Sequence, residues 1–162
     1  MKTWNERPFE IRNLFNPAFC GVNLLRAFQG FEENDDAGMP FSLALLVLPL
    51  CLYKDSREII SGSPRSYLLK TISDNPQMRV GFAERTISLL PFTFEALGFA
   101  MQLQSFEVTR QGRFRMQKKG VRKKIDGTSE SIECQKVARI VGKNFAQIND
   151  RVTIYTIFGI RP

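Results

Sequence analysis

The sequence predicts a mainly α-helical core carrying one short β-hairpin. Three observations lead there. Apolar residues recur at three- and four-residue spacing over most of residues 16–104. Residues 41–53 form a mainly apolar run interrupted only by Ser42 and Pro49. Period-two alternation occurs in one place, residues 106–116. Helical period and strand alternation are the primary signals of secondary structure. With 162 residues, 43% hydrophobic and 24% charged, the chain has ordinary globular composition and fits a single domain over 1–162. Fourteen Phe against one Trp and three Tyr predict a core built on phenylalanine.

Residues 1–12 mix polar and apolar side chains and predict an ordered lead-in arm. Asn16-Pro17 is a helix start: asparagine caps the first free N–H groups, and a first-position proline has none to lose. Ala18, Val22, Leu25 and Phe28 then form an apolar stripe, which Phe19 widens. Gly30 and the acidic tract Glu32-Glu33-Asn34-Asp35-Asp36 predict a solvated loop after it. The run 41–53 is too short for a membrane span, which needs about 20 apolar residues. It predicts a central helix that is kinked or ended early by Pro49. A short helix from Asp55 or Ser56 through Ile60, a turn at 61–64 and a helix over 66–74 follow.

Asn75-Pro76 repeats the earlier start signal. Met78, Phe82, Ile87 and Leu90 keep helical spacing up to a break at Pro91, and Thr93–Gln104 resumes it. Phe106 to Met116, turning at Gln111-Gly112, is the hairpin. Together with a mobile basic loop it spans 105–125. Helical period returns over 131–147. Residues 151–159 favour a strand by their β-branched side chains, but Asn149-Asp150 and Gly159 are helix-end signals, so helix is the expectation. A helical core followed by a hairpin reads as winged-helix-like, with a minor α+β arrangement as the alternative.

The chemistry is constrained by what is missing. There is no histidine, so a histidine-based triad and histidine metal ligands are excluded. No phosphate-binding glycine loop of the Walker or dinucleotide type occurs. Cys20, Cys51 and Cys134 are widely spaced and odd in number, which predicts buried thiols in a reducing compartment. Glu32, Glu33, Asp35 and Asp36 are read as a solvated loop in preference to a magnesium site. Glu84-Arg85 and Glu95 are read as one ion-paired group on the helices. No cofactor is expected, and no signal-peptide apolar region is present, so the expected location is the cytoplasm.

Charge is uneven. Residues 1–100 hold ten Lys/Arg against eleven Asp/Glu, and residues 101–162 hold thirteen against five. Arg110, Arg113, Arg115, Lys118, Lys119, Arg122, Lys123 and Lys124 fall within fifteen residues. These eight are the candidate contacts for an acidic protein partner or for nucleic acid.

Asn-Leu-Phe-Asn-Pro-Ala-Phe-Cys (13–20), Met-Pro-Phe-Ser-Leu-Ala-Leu-Leu-Val-Leu-Pro-Leu (39–50), Arg85 with Leu90–Leu97, and Phe158-Gly159-Ile160-Arg161-Pro162 resemble, in order and spacing, the middle component of bacterial ABC three-component conflict systems. The Lamassu anti-phage systems have a similar arrangement. The resemblance implies a non-catalytic adaptor that joins an SMC-like ATPase to an effector, often a nuclease. It also implies a helical, winged-helix-like fold and no catalytic residues. DNA contact would come through the complex. The alternative from the residues alone is a stand-alone winged helix-turn-helix regulator that binds DNA directly.

Overall fold

The computed structural model describes residues 4–161. A 3-10 turn at Trp4–Glu6 leads into α1 (Phe9–Leu14). The expected ordered lead-in arm over 1–12 is thus a 3-10 turn followed by helix from Phe9, while its residues 1–3 lie outside the described residues. α1 buries none of its own residues, so it shows no core-facing stripe. It is fixed from its flanks instead: Phe15 stacks on Phe92 with centroids 4.5 Å apart, and Arg7 reaches Glu95.

α2 (Pro17–Glu32) is the helix around which the others assemble. Its start follows the predicted chemistry, with Asn16 Oδ1 accepting from Ala18 N at 2.8 Å and Phe19 N at 3.4 Å. One side lies along α8 (Ser129–Ile148) and another along α7 (Phe82–Gln102). α2 and α8 approach backbone to backbone at two glycines. A Cβ on Gly30 would lie 2.0 Å from the Arg139 carbonyl oxygen, and one on Gly142 would lie 1.9 Å from that of Ala27.

The apolar run is two helices, α3 (Phe41–Ala44) and α4 (Val47–Cys51), and every residue of α4 is buried. Proline clashes with the carbonyl four residues before it. For Pro49 that residue is Leu45, where the helix breaks. The expected central position holds. α5 (Lys54–Gly62) runs past the expected end at Ile60. α6 (Leu68–Asp74) begins where Asn144 of α8 accepts from Leu68 N at 2.9 Å.

Two expectations about the next stretch are overturned. Asn75-Pro76 starts only a 3-10 turn, Pro76–Arg79; the Asn75 Oδ1 caps no backbone N–H and accepts from the Gln77 side chain at 3.4 Å, while its Nδ2 donates to the Thr71 carbonyl. Pro91 does not break α7, which runs unbroken from Phe82 to Gln102. The carbonyl that Pro91 opposes belongs to Ile87, a residue on the exposed face of the helix. Phe82 and Thr86 before the proline, and Thr93, Ala96, Leu97 and Ala100 after it, bury the opposite face and hold the helix through it.

The hairpin forms as expected from β2 (Phe106–Val108) and β3 (Arg113–Met116). A third strand, β1 (Met39–Pro40), pairs antiparallel with β3, giving the order β1-β3-β2. It is two residues long and contains a proline, which a sheet tolerates at its edge. Phe28 packs edge-on to Phe106 and at 5.3 Å from Phe114, tying the sheet to α2. α9 (Arg151–Ile157) is the expected final helix, capped by Asp150. Phe158 stacks on Phe82 at 4.2 Å and closes the core. The protein is mainly α with a minor β part.

Candidate partner-binding surface

The eight candidate basic residues do not act as one group. Arg113 is half-buried on β3, where its Nη1 donates to Asp35 Oδ2 and to the Gly38 carbonyl, each at 3.0 Å. Arg115 ion-pairs with Glu107, the residue opposite it on β2. Lys124 Nζ lies 3.0 Å from Asp126. Arg110 is exposed at the hairpin tip. Lys118, Lys119, Arg122 and Lys123 are exposed on the irregular loop after β3, with no carboxylate partner among the described residues. The unneutralised charge is thus concentrated on the loop 118–123.

The acidic tract is a largely exposed loop from Glu33 on, as expected, but α2 runs past Gly30 to Glu32 and three of the tract's carboxylates are engaged. Glu32 accepts from Met116 N at 2.6 Å. Glu33 pairs with Arg139 at 2.7 Å and Lys143 at 3.5 Å, and Asp35 holds Arg113. The tract fastens the end of α2 to the hairpin and to α8. Burial pushes the Glu32 carboxyl above the usual carboxylate range, against the opposing pull of the Met116 N–H.

The expected Glu84-Arg85-Glu95 group is also redistributed. Glu95 takes Arg7 through paired bonds of 2.7 and 3.0 Å. Arg85 donates to the carbonyls of Val80 and Met78 and lies over the Tyr53 ring at 4.1 Å. All three cysteines are buried free thiols, as expected. Burial pushes the Cys20 thiol up to about 12 and raises those of Cys51 and Cys134. Among the described residues no group of three or more Cys, Asp or Glu is placed to hold a metal ion.

Two features escaped the sequence reading. The first is the outer face of α7. Ile87, Pro91, Phe94, Gly98 and Met101 recur at helical spacing and all are exposed, Ile87 at 66% and Phe94 at 49%. Phe41 extends the stripe by stacking on Phe94 at 6.2 Å. Read together with the buried stripe of Phe82, Thr93, Ala96 and Ala100, it makes α7 apolar on two faces, which spacing alone merges into one. The second is a groove of about 500 Å³ between α2, the end of α7 and the basic loop. Phe99 and Leu103 line it, and at about 100° per residue Phe99 lies roughly 120° around α7 from the middle of the stripe, with Leu103 just past the helix end. The side chain of Arg26, buried in the apolar run of α2, forms part of its wall.

The family described as the ABC-three component (ABC-3C) system Middle Component 3 has a model that matches residues 4–162. The chain belongs to that family. The match spans nearly the whole chain, the tract 110–130 included, and so extends the resemblance carried by the shorter segments. No curated protein and no solved structure matches the chain. A middle component is one part of a multi-component system, and partner proteins are implied by that membership. In this Middle Component 3 chain no helix among the described residues is long and apolar enough to cross a membrane.

Proposed function

We infer that this middle component is a non-catalytic, cytoplasmic adaptor that joins an SMC-like ATPase to an effector protein in an anti-phage defence complex. The observation that carries the reading is the pair of unsatisfied surfaces. One is the exposed apolar stripe of α7, and the other is the basic loop 118–123 with its adjoining groove. An adaptor needs two chemically different contacts, and contiguous exposed apolar surface is a mark of interaction sites. Opposite charge on a partner would orient docking and raise its rate. Membership of a three-component system supports the same reading.

A stand-alone DNA-binding regulator is favoured by one observation, the β1-β3-β2 sheet order with the hairpin as its wing. The helix before the hairpin argues against it. In a winged helix-turn-helix that helix enters the major groove, where Lys, Arg and amide side chains read bases and phosphates. Here it is α7, whose charged residues are Glu84, Arg85 and Glu95 and whose outer face is apolar. Titration of the isolated chain with duplex DNA separates the readings. The adaptor reading predicts weak binding, confined to low salt. Tight, salt-dependent binding lost on replacing Lys118, Lys119 and Lys123 would establish the regulator instead.

A further inference from the structure

Among the described residues three arginines are buried: Arg7, Arg26 and Arg57. Two have carboxylate partners. Arg7 pairs with Glu95 at 2.7 Å, and Arg57 lies 2.7 Å from Glu130 and 3.0 Å from Glu133. Arg26 is 2% exposed and has none. Its Nε donates to Gln135 Oε1 at 3.1 Å, its Nη1 to Gln29 Oε1 at 3.0 Å and its Nη2 to the Lys124 carbonyl at 3.2 Å. All three acceptors are neutral. A guanidinium carries five N–H groups, so its fork is only partly used. Burial first, and then the charge of Arg139, hold this guanidinium below its ordinary basicity. A buried charge without an opposite charge is a cost that a folded chain ordinarily avoids.

The side chain stands in the wall of the groove described above. Ala18, Val22, Leu25, Phe99, Leu103 and Val121 make that groove apolar. Arg122 and Lys124 stand at its edge, and the only carboxylate among the lining residues, Asp126, is held by Lys124.

We propose that the groove is the docking site for a segment of a partner protein in which one Asp or Glu is flanked by apolar residues, its carboxylate bound by Arg26. This rests on the adaptor reading. The planar guanidinium fork matches a carboxylate through two parallel hydrogen bonds. The apolar walls take the flanking side chains, and Arg122 and Lys124 draw the acidic segment in. A nucleic-acid strand fits less well. It repeats a charge at every nucleotide, whereas the groove offers one buried cation among apolar side chains.

The test uses the complex purified from native cells through the tagged full-length chain. Hydrogen–deuterium exchange compares residues 18–26, 99–105 and 117–127 in the free chain and in the complex. Carbodiimide cross-linking, which joins carboxylates directly to amines, maps what Lys123 and Lys124 touch. The expected result is protection of all three segments and a cross-link to an acidic residue within an apolar stretch of one partner. Arg26→Met should weaken the complex at least tenfold, and because it also removes the donor to Gln135, Gln29 and the Lys124 carbonyl its thermal midpoint is measured alongside. If that variant unfolds, Leu103→Asp, at an exposed position on the groove wall, should weaken the complex to a similar degree in a folded chain. Partners recovered with the groove unprotected, or bound equally by the Leu103→Asp variant, would overturn the groove while leaving the adaptor reading intact. Recovery of no partner would overturn both. Protection removed by nuclease would assign the groove to nucleic acid, and concentration-dependent protection of the free chain would assign it to a second copy.

Discussion

Replacing Gly142 by alanine tests the packing on which the whole fold depends. In an exposed helix interior Gly→Ala stabilises by about 1 kcal/mol. At this position the new methyl would lie 1.9 Å from the Ala27 carbonyl oxygen, 2.7 Å from its carbon and 2.9 Å from its Cα. Favourable contacts of this kind sit near 3.5–4.0 Å. The overlap exceeds 1 Å, and it is against backbone, which cannot rotate away as a side chain can. α2 and α8 would have to part, and the Gly30–Arg139 contact on the same seam would open with them. Overpacking ordinarily costs about 1–3 kcal/mol, and a backbone clash belongs at the upper end. Against the propensity gain, the net loss is about 2 kcal/mol. For a chain of this size that is a fall of roughly 4–8 °C in Tm. Thermal unfolding followed by circular dichroism measures it. Gly98→Ala is the internal control, because its added methyl on the exposed face of α7 meets nothing within 4 Å beyond its chain neighbours and the helix's own nearby backbone. That variant should gain up to about 1 kcal/mol. A Gly142→Ala protein as stable as the parent, or more so, would refute the close approach of α2 and α8.

Further outcomes follow from the caps, the carboxyls and the thiols. Asn16→Ala removes the acceptor for two free N–H groups and should cost about 1 kcal/mol, read by denaturant unfolding. Because burial raises the Glu32 carboxyl, the folded state holds that proton more tightly than the unfolded chain does. Its contribution to stability is present below the ordinary carboxylate range and is lost as pH rises through the raised value. Glu32→Gln keeps an acceptor for Met116 N without the charge. It should therefore match or exceed the parent at neutral pH, with the difference closing as pH falls below the carboxylate range. A variant less stable at neutral pH would contradict the reading. The buried thiols of Cys20, Cys51 and Cys134 should resist a thiol reagent in the native protein and react together in denaturant, and rapid native labelling would show that one of them is accessible.

The elements most legible in the sequence were those with local chemistry of their own. Asn16-Pro17 states a helix start whatever surrounds it, and alternation over 106–116 states a hairpin. Pro49 was legible as a break because it interrupts the most apolar run of the chain, where Leu46 to Cys51 are all buried. Pro91 has the same chemistry but opposes Ile87 on the exposed face of α7, and the helix continues through it, a distinction no proline shows in sequence. β1 was hidden because two residues cannot display a period, and Asn75 because a cap depends on which donor its Oδ1 meets, here the Gln77 side chain. The surface was the least legible part. Arg113 and Arg115 look identical to Lys118 and Lys123 in sequence, yet Asp35 and Glu107 neutralise the arginines through pairings that exist only once the sheet forms. Arg26, flanked by Leu25 and Ala27, shows only as a polar interruption of a core stripe. The exposed stripe of α7 is written in the same residues as a buried one.

The measurement that bears most directly on the adaptor account is purification of the tagged chain from its native cells, with mass spectrometry of what accompanies it. The account predicts a large coiled-coil ATPase and a second, effector-type protein in amounts comparable to the chain, and loss of at least one of them when Ile87, Phe94 and Met101 on α7 are replaced together by serine. Recovery of the chain alone, or with nuclease-sensitive DNA and no protein partner, would contradict it.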